Sequence, residues 1–484
     1  MVSAATSPAG AVLDPAFVAA FRSGTLTRSA VEAALPADRG AILFFLMQLM
    51  TAVADGSGPA VGPHTPSGAV PPYQKPATDP KKRTGKAGAK PGHAGSSRPK
   101  PEDITRREEH QFPACPDCGG ELRRTGRKRT RIIEDIPPDL TADVAEHTTH
   151  RDWCPHCKKQ VEPKVPDALA RCILGNRAVA LAGWLHYGLG TTTSQIVAVF
   201  NRHLRLPISD GGLTQMWHRL ARVVTPWYEQ IHRHCLDAGV LHADETGWRT
   251  NGELWWLWCF TTADATGYVL HESRGHEALR AFFKAEFAGV LVTDFWKAYD
   301  VITRRQQKCW PHLLRDLTAV DDGSEHHGDW PEFAGKLRRI YADAIRLEAT
   351  HDTAEQTTYD RRTCLLYARV ADLAAAGWTN PHARRLAKRL NAYGDQLLTF
   401  VEADGVPPSN NHAEREVRPA VLMRKNSYGS QSVRGASTRG VLMSVFRTLH
   451  RRGLDPLAAV EHALRAYAAT GELPPLPEGK CSGG

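Results

Sequence analysis

Two short aliphatic runs, Val240-Leu241-His242-Ala243-Asp244 and Val290-Leu291-Val292-Thr293-Asp294, each close on an aspartate. Runs of this length, rich in Val and Leu, are the signature of strands. Between them, Leu254–Thr262 and Tyr268–His271 are aromatic and β-branched, with Asp264-Ala265-Thr266-Gly267 placed as a hairpin turn. Glu277–Glu286 has helical spacing. Three antiparallel strands, a helical crossover and a further strand make an α/β core. In such a core the ends of two neighbouring strands set their aspartates side by side.

A third acid completes the pattern. Pro407-Pro408-Ser409-Asn410-Asn411 starts a helix that carries Glu414, 120 residues beyond Asp294. Three carboxylates on such elements are what two adjacent divalent cations need, because shared acidic oxygens can hold hard ions and leave room for a phosphate. This reading makes the core RNase H-like, with Asp244, Asp294 and Glu414 as catalytic metal ligands. Each has a rival. Glu245 adjoins Asp244, but alternation points the two to opposite faces. Asp300 lies beyond Tyr299, on the segment after Asp294. Glu416 sits about 200° around the helix from Glu414. Asn411-x-x-Glu414 also has the spacing of a capping box, which would leave Glu414 a purely local role.

The net charge of +9 is concentrated. From Lys75 to Arg131 there are 16 Lys/Arg against 7 Asp/Glu, so the remainder is near neutral. Ten prolines between Pro59 and Pro101 forbid continuous helix or sheet there. An extended basic tether, including Lys81, Lys82 and Arg83, suits a phosphate backbone; an unpartnered solvated linker is the alternative. The chain has no 18-residue apolar run, and Ala41–Met47 is too short to span a bilayer. The expectation is a bacterial cytoplasmic, nucleoid-associated protein without a membrane partner.

Four of the ten cysteines form two Cys-x-x-Cys knuckles, Cys115/Cys118 and Cys154/Cys157. Two knuckles complete a tetrahedral thiolate set for a structural Zn²⁺ with no open coordination position. With strands expected at Arg131–Ile136 and Thr141–Thr149, the unit is a zinc ribbon. Residues 167–235 are helical: Ser194–Phe200, a break at Pro207 and Gly211-Gly212, then Leu213–Val224, resembling a helix-turn-helix capped by Ser209 or Asp210. Stripes at Leu337, Ile340, Tyr341, Ala344, Ile345 and at Leu386, Leu390, Tyr393, Leu397 mark a helical insertion. The expected division is an N-terminal helical segment (1–54), basic linker (55–108), zinc ribbon (109–162), helical domain (163–236), leading core segment (237–327), insertion (328–402), returning core segment (403–450) and C-terminal helix and tail (451–484).

The chain resembles the DDE transposases of the insertion-sequence sixty-six family from about residue 75 to 450. The resemblance is carried by Pro91-Gly92-His93-Ala94-Gly95, the two knuckles, His242–Thr246 and Ser273-Arg274-Gly275-His276. It continues in Asp294–Asp300, Cys309-Trp310-Pro311-His312-Leu313-Leu314-Arg315-Asp316, Asn410–Pro419 and Arg424-Lys425-Asn426. It implies an RNase H-like core using two Mg²⁺ (or Mn²⁺) ions on Asp244, Asp294 and Glu414. The expected partners are double-stranded DNA, both element terminal repeats and target, with a homo-oligomer on DNA and accessory transposition proteins in some relatives. His312 and Arg315, one helical turn apart, are placed at the scissile phosphate or DNA flank, and Arg415, Arg418, Arg424 and Lys425 on phosphate oxygens. Arg418 is equally placed to pair with Glu414. A stand-alone RNase H-like nuclease and a catalytically silent zinc-ribbon DNA-binding regulator are the competing functions.

Overall fold

The computed structural model describes residues 104, 106–123, 129–130, 132–133, 140–170, 172–323 and 326–479. The expected N-terminal helices, most of the linker with Lys81, Lys82 and Arg83, and the run Arg131–Ile136 apart from Ile132 and Ile133 lie outside them. The chain divides into two units, residues 76–142 and the remainder.

In the smaller unit, Cys115 begins a tight turn: its N–H donates to Gly120 O at 2.9 Å, and Gly119 N donates to Cys115 O at 2.8 Å. The second knuckle lies in the larger unit, at the turn between β1 (Asp152–Cys154) and β2 (Lys159–Val161), an antiparallel pair. The strand expected at Thr141–Thr149 is not formed. That segment is largely exposed and has no partner ladder among the described residues, without which a single extended segment does not hold as a strand.

Helix α1 (Asn176–Gly183) runs into a π-turn at Trp184–Gly188, followed by α2 (Thr193–Arg202) and α3 (Asp210–Leu236). Ser209 caps α3, its Oγ accepting from Gly212 N at 3.1 Å. The second piece of the expected helix-turn-helix is therefore much longer than Leu213–Val224. Its apolar face, Leu213, Leu220, Val224, Trp227 and Ile231, is wholly buried.

The sheet follows, in the order β5-β4-β3-β6-β7. Strands β3 (Val240–Thr250), β4 (Glu253–Thr261) and β5 (Thr266–His271) are antiparallel; β6 (Val290–Thr293) lies parallel to β3, and β7 (Gln306–Lys308) parallel to β6. Asp244 therefore does not end its strand, as the sequence pattern suggests. It lies inside an eleven-residue β3, two residues past His242, the last residue paired to β6. Asn251 and Gly252, at φ of 52° and 80°, join β3 to β4 in the left-handed turn that matches strand twist. Helix α4 (His276–Phe283) makes the crossover to β6.

After a 3₁₀ turn at Lys297–Val301 and β7 come α5 (Trp310–Asp321), α6 (Trp330–Glu348), α7 (Gln356–Ala375), α8 (Pro381–Tyr393) and the short α9 (Thr399–Glu402). Leu337, Ile340, Ala344, Leu386 and Leu390 form their core, as the stripes predict. The chain returns through α10 (Asn411–Ser427), α11 (Val433–Arg451) and α12 (Pro456–Thr470).

Both sheet edges are closed by side chains. On β5, Tyr268 N donates to Ser444 Oγ at 2.8 Å and Thr266 N to Thr448 Oγ1 at 3.1 Å, both acceptors on α11. At β7, Phe400 N donates to Gln307 Oε1 at 2.8 Å and Thr399 Oγ1 to Gln306 O at 2.6 Å. Exposed ladder edges invite foreign strands, and these contacts occupy them.

Candidate active site

Strand alternation decides which acids meet. Val240 pairs with Val290 and His242 with Val292, and Val290 and Val292 bury their side chains in the core of the inserted helices. Leu241, Ala243 and Leu291 face the other core, with α3 and α11. Two residues further along β3, Asp244 continues the first face and Glu245 the second, while Asp294 follows directly on the last residue of β6. Burial first, then the charges of Glu245, Asp294 and Glu414, hold the Asp244 carboxyl well above its usual range. Three neighbouring acids around one half-buried aspartate form a site that gains by binding positive charge.

Glu414 reaches the same site from the first turn of α10. The capping-box geometry is absent: Asn410, not Asn411, is the N-cap, and its side chain makes no cap bond. Instead Asn410 Nδ2 donates to Ala243 O at 2.8 Å, and its Oδ1 lies 3.1 Å from His242 Nδ1. The start of α10 is thereby fastened to β3 beside Asp244. Glu414 Oε1 faces Arg315 Nη2 at 3.3 Å and His312 Nε2 at 3.9 Å, so both α5 residues border the site. Burial, then the nearby Arg315 charge, lower the His312 pKa and favour the neutral ring. Arg418 is exposed on α10.

The rival acids are engaged elsewhere. Glu245 Oε1 accepts from Arg274 Nε at 3.0 Å and Nη2 at 2.8 Å, and its Oε2 accepts from Tyr299 Oη at 2.6 Å. Burial and Asp294 nonetheless raise its pKa above the usual value. Asp300 accepts from Tyr393 Oη at 3.0 Å and pairs with Lys308 at 3.5 Å. Glu416 takes Arg447 with both oxygens, at 2.6 and 2.9 Å. Burial pushes its pKa up, but the Arg447 bonds and charge outweigh that and leave it lowered.

Of the basic residues expected on DNA, Arg415, Arg418 and Lys425 are exposed along α10. Arg424 is partly buried and donates to Thr246 Oγ1 at 3.2 Å and to Gly247 O, so its guanidinium is tied to β3. Sequence reasoning gave no role to Asn410, Arg274, Tyr299 or Lys308. Lys308 is fully buried, with Nζ on Gln306 Oε1 at 2.8 Å and Thr293 Oγ1 at 3.1 Å, directly beside Asp294 in sequence. Burial pulls it down to about 8.

The knuckles suit a thiophilic ion. Backbone N–H groups of Asp117 and then Cys118 lower the Cys115 thiol, and those of Cys157 and His156, with the Cys157 side chain, lower Cys154. Cys157 N lies 3.3 Å from Cys154 Sγ. Thiols that ionise easily are the form a zinc ion takes.

Residues 113–158 match the zinc-finger binding domain of transposase IS66, a span that contains all four knuckle cysteines. Among curated proteins, y4jD of Sinorhizobium fredii (strain NBRC 101917 / NGR234), described as uncharacterized, is 25% identical over 396 residues, covering 72% of this chain and 74% of its own. The uncharacterized y4hP of the same strain is 22% identical over 417 residues, covering 77% and 74%. Among the described residues no helix is long and apolar enough to cross a membrane. A zinc-finger domain thus precedes a helix-rich α/β domain with a mixed sheet, and residues 171–438 match the transposase IS66 family model: the chain belongs to the IS66 family of transposases.

Proposed function

We propose that this transposase cuts and joins DNA with a two-cation carboxylate site made of Asp244, Asp294 and Glu414, on an RNase H-like core. The strand order β5-β4-β3-β6-β7, three antiparallel strands followed by two parallel ones, supports that core. It also supports a division into core (237–327), insertion (328–402) and returning core (403–450). The observation that carries the proposal is the placement of acids about Asp244: Asp294 directly after the adjacent parallel strand, and Glu414 on the helix that Asn410 ties to β3, both close enough for their charges to act on it.

Asp244, Asp294 and Glu414 would hold the cations, Asp244 contributing to both, Asp294 to one and Glu414 to the other. Mg²⁺ or Mn²⁺ bound there would activate the attacking oxygen and neutralise charge on the leaving 3′ oxygen. Water opens the phosphodiester at the element end and frees a 3′-hydroxyl. That hydroxyl then displaces a 3′ oxygen in target DNA, forming one phosphodiester for each one broken. Arg315, 60% exposed, can leave Glu414 for a phosphate oxygen without losing packing. Exposed Arg415, Arg418 and Lys425, with Lys81, Lys82 and Arg83 of the linker, are proposed to hold the duplex. The knuckle cysteines Cys115, Cys118, Cys154 and Cys157 are proposed to hold one structural Zn²⁺.

The test is a strand-transfer assay with purified protein, a duplex bearing the element ends, plasmid target and Mg²⁺. Joined product supports the proposal. Cleavage without joining would favour a stand-alone nuclease, and binding without cleavage a silent regulator.

A further inference from the structure

Cys309, His312 and Glu414 each bring a possible ligand atom within 4.8 Å of the others. His312 stands in the first turn of α5 and Glu414 in the first turn of α10. These two helix starts are fastened to each other. Trp310 N donates to Pro408 O at 3.0 Å, and Asn410 N donates to Cys309 Sγ at 3.2 Å. Trp310 itself is fully buried, its indole N–H on Leu397 O at 2.6 Å. Neither side chain owes its place to a mobile loop.

The separation of His312 Nε2 from Glu414 Oε1, 3.9 Å, is too long for a hydrogen bond. It is the right length for two ligands of one ion. With bonds of about 2.1 Å, two donors on a cation lie between about 3.0 Å apart at a right angle and about 4.2 Å when opposed. The other ring nitrogen, Nδ1, is buried without a hydrogen-bond partner, so the ring acts through Nε2. The Cys309 sulfur is buried and already accepts from the Asn410 amide, which leaves His312 and Glu414 to face the ion.

We propose that His312 is a nitrogen ligand of the cation held by Glu414, so that this position favours Mn²⁺ and other transition ions over Mg²⁺. Mg²⁺ prefers an all-oxygen octahedron, whereas imidazole suits transition ions. The inference rests on the two-cation reading above, and it moves His312 from the DNA flank to the metal.

The experiment uses full-length protein with its knuckles filled with Zn²⁺ and no DNA. Mn²⁺ is added, its affinity is measured, and pulsed electron paramagnetic resonance records ¹⁴N coupling to bound Mn²⁺. Wild type is expected to show an imidazole coupling that disappears in His312→Ala and in His312→Gln, with Mn²⁺ affinity falling about tenfold or more. Mg²⁺ affinity, from competition, changes far less. The glutamine variant keeps a polar side chain at the site, and circular dichroism verifies that both variants are folded. Absence of the coupling in wild type, or its persistence in both variants, overturns the assignment. Asp244→Asn and Glu414→Gln separate the two levels. If they abolish Mn²⁺ binding while no ¹⁴N coupling is seen, only the role of His312 fails. If Mn²⁺ binding survives both, the carboxylate site itself is wrong.

Discussion

Asn410 donates from Nδ2 to the carbonyl of Ala243 at 2.8 Å, and the next residue along β3 is Asp244. The N-cap residue of α10 thus spends its amide on the strand that carries the first carboxylate, and its Oδ1 faces His242 Nδ1 at 3.1 Å. Backbone position on β3 and the start of α10 become one rigid unit, which fixes Glu414 relative to Asp244.

Asn410→Ala should therefore act on both stability and chemistry. It leaves a buried carbonyl and a buried imidazole nitrogen without partners, a loss of about 2–4 kcal/mol in denaturant unfolding. Cleavage should fall while DNA affinity holds. Unchanged unfolding with unchanged cleavage would mean the clamp has no role.

Glu245 should behave as a structural acid. It sits between Arg274 and Tyr299, and the Arg274 guanidinium stacks over Trp296 at 4.0 Å from the ring centroid. Removing one member of a buried pair strands the other, so Glu245→Gln, which leaves the Arg274 guanidinium without its carboxylate, should destabilise the fold by about 3 kcal/mol. Divalent-ion affinity per folded molecule, read by calorimetry, should stay within a few-fold of wild type. A much larger fall in metal affinity with intact stability would make Glu245 a ligand.

Cation binding should stabilise the protein more as pH rises. Asp244 has a folded pKa raised by burial and by Glu245, Asp294 and Glu414, so folding takes up a proton there. In the metal-free protein this group therefore costs stability as pH climbs from its unfolded value through its folded one. Below the folded pKa a proton competes with the cation; above it the site is open to the cation. The rise in melting temperature on adding Mg²⁺ should be larger at pH 8 than at pH 5, and Asp244→Asn should flatten that dependence. Equal shifts at both pH values in wild type would contradict it.

Zinc should be structural. Full-length protein should contain about one Zn²⁺ per chain by elemental analysis, and Cys115→Ser or Cys154→Ser should lower that content. Hydrogen exchange within 113–158 should quicken in these variants, while β3 to β6 keep their protection. Full zinc content in both would exclude the knuckles as ligands.

Much of the α/β half was legible because it rests on local pattern. Val290-Leu291-Val292-Thr293 is a strand by composition and forms β6, and the leucine stripes of the insertion form its core. Strand alternation alone set Asp244 and Glu245 on opposite faces. What escaped depends on partners distant in sequence. Gln306-Gln307-Lys308 is polar and looks like loop, yet it is a buried strand because residues such as Phe400 and Thr293 answer its polar groups. The continuation of β3 to Thr250 does carry a local signal, the Asn251-Gly252 turn, although Asp244 had seemed to end the strand. Asn410 looked like a residue of the helix start, and nothing local shows that its amide is committed to β3.

Asp244, Asp294 and Glu414 are proposed to hold the cations that cut and join DNA. The decisive comparison sets wild type against Asp244→Ala, Asp294→Ala and Glu414→Ala on a labelled duplex bearing the element end, in Mg²⁺ and in Mn²⁺. Cleavage and end binding are followed in the same samples. Every substitution should abolish cleavage, with loss of at least about a thousandfold, while binding to the end stays within a few-fold of wild type. Cleavage at near wild-type rate by any one of the three variants would contradict this assignment.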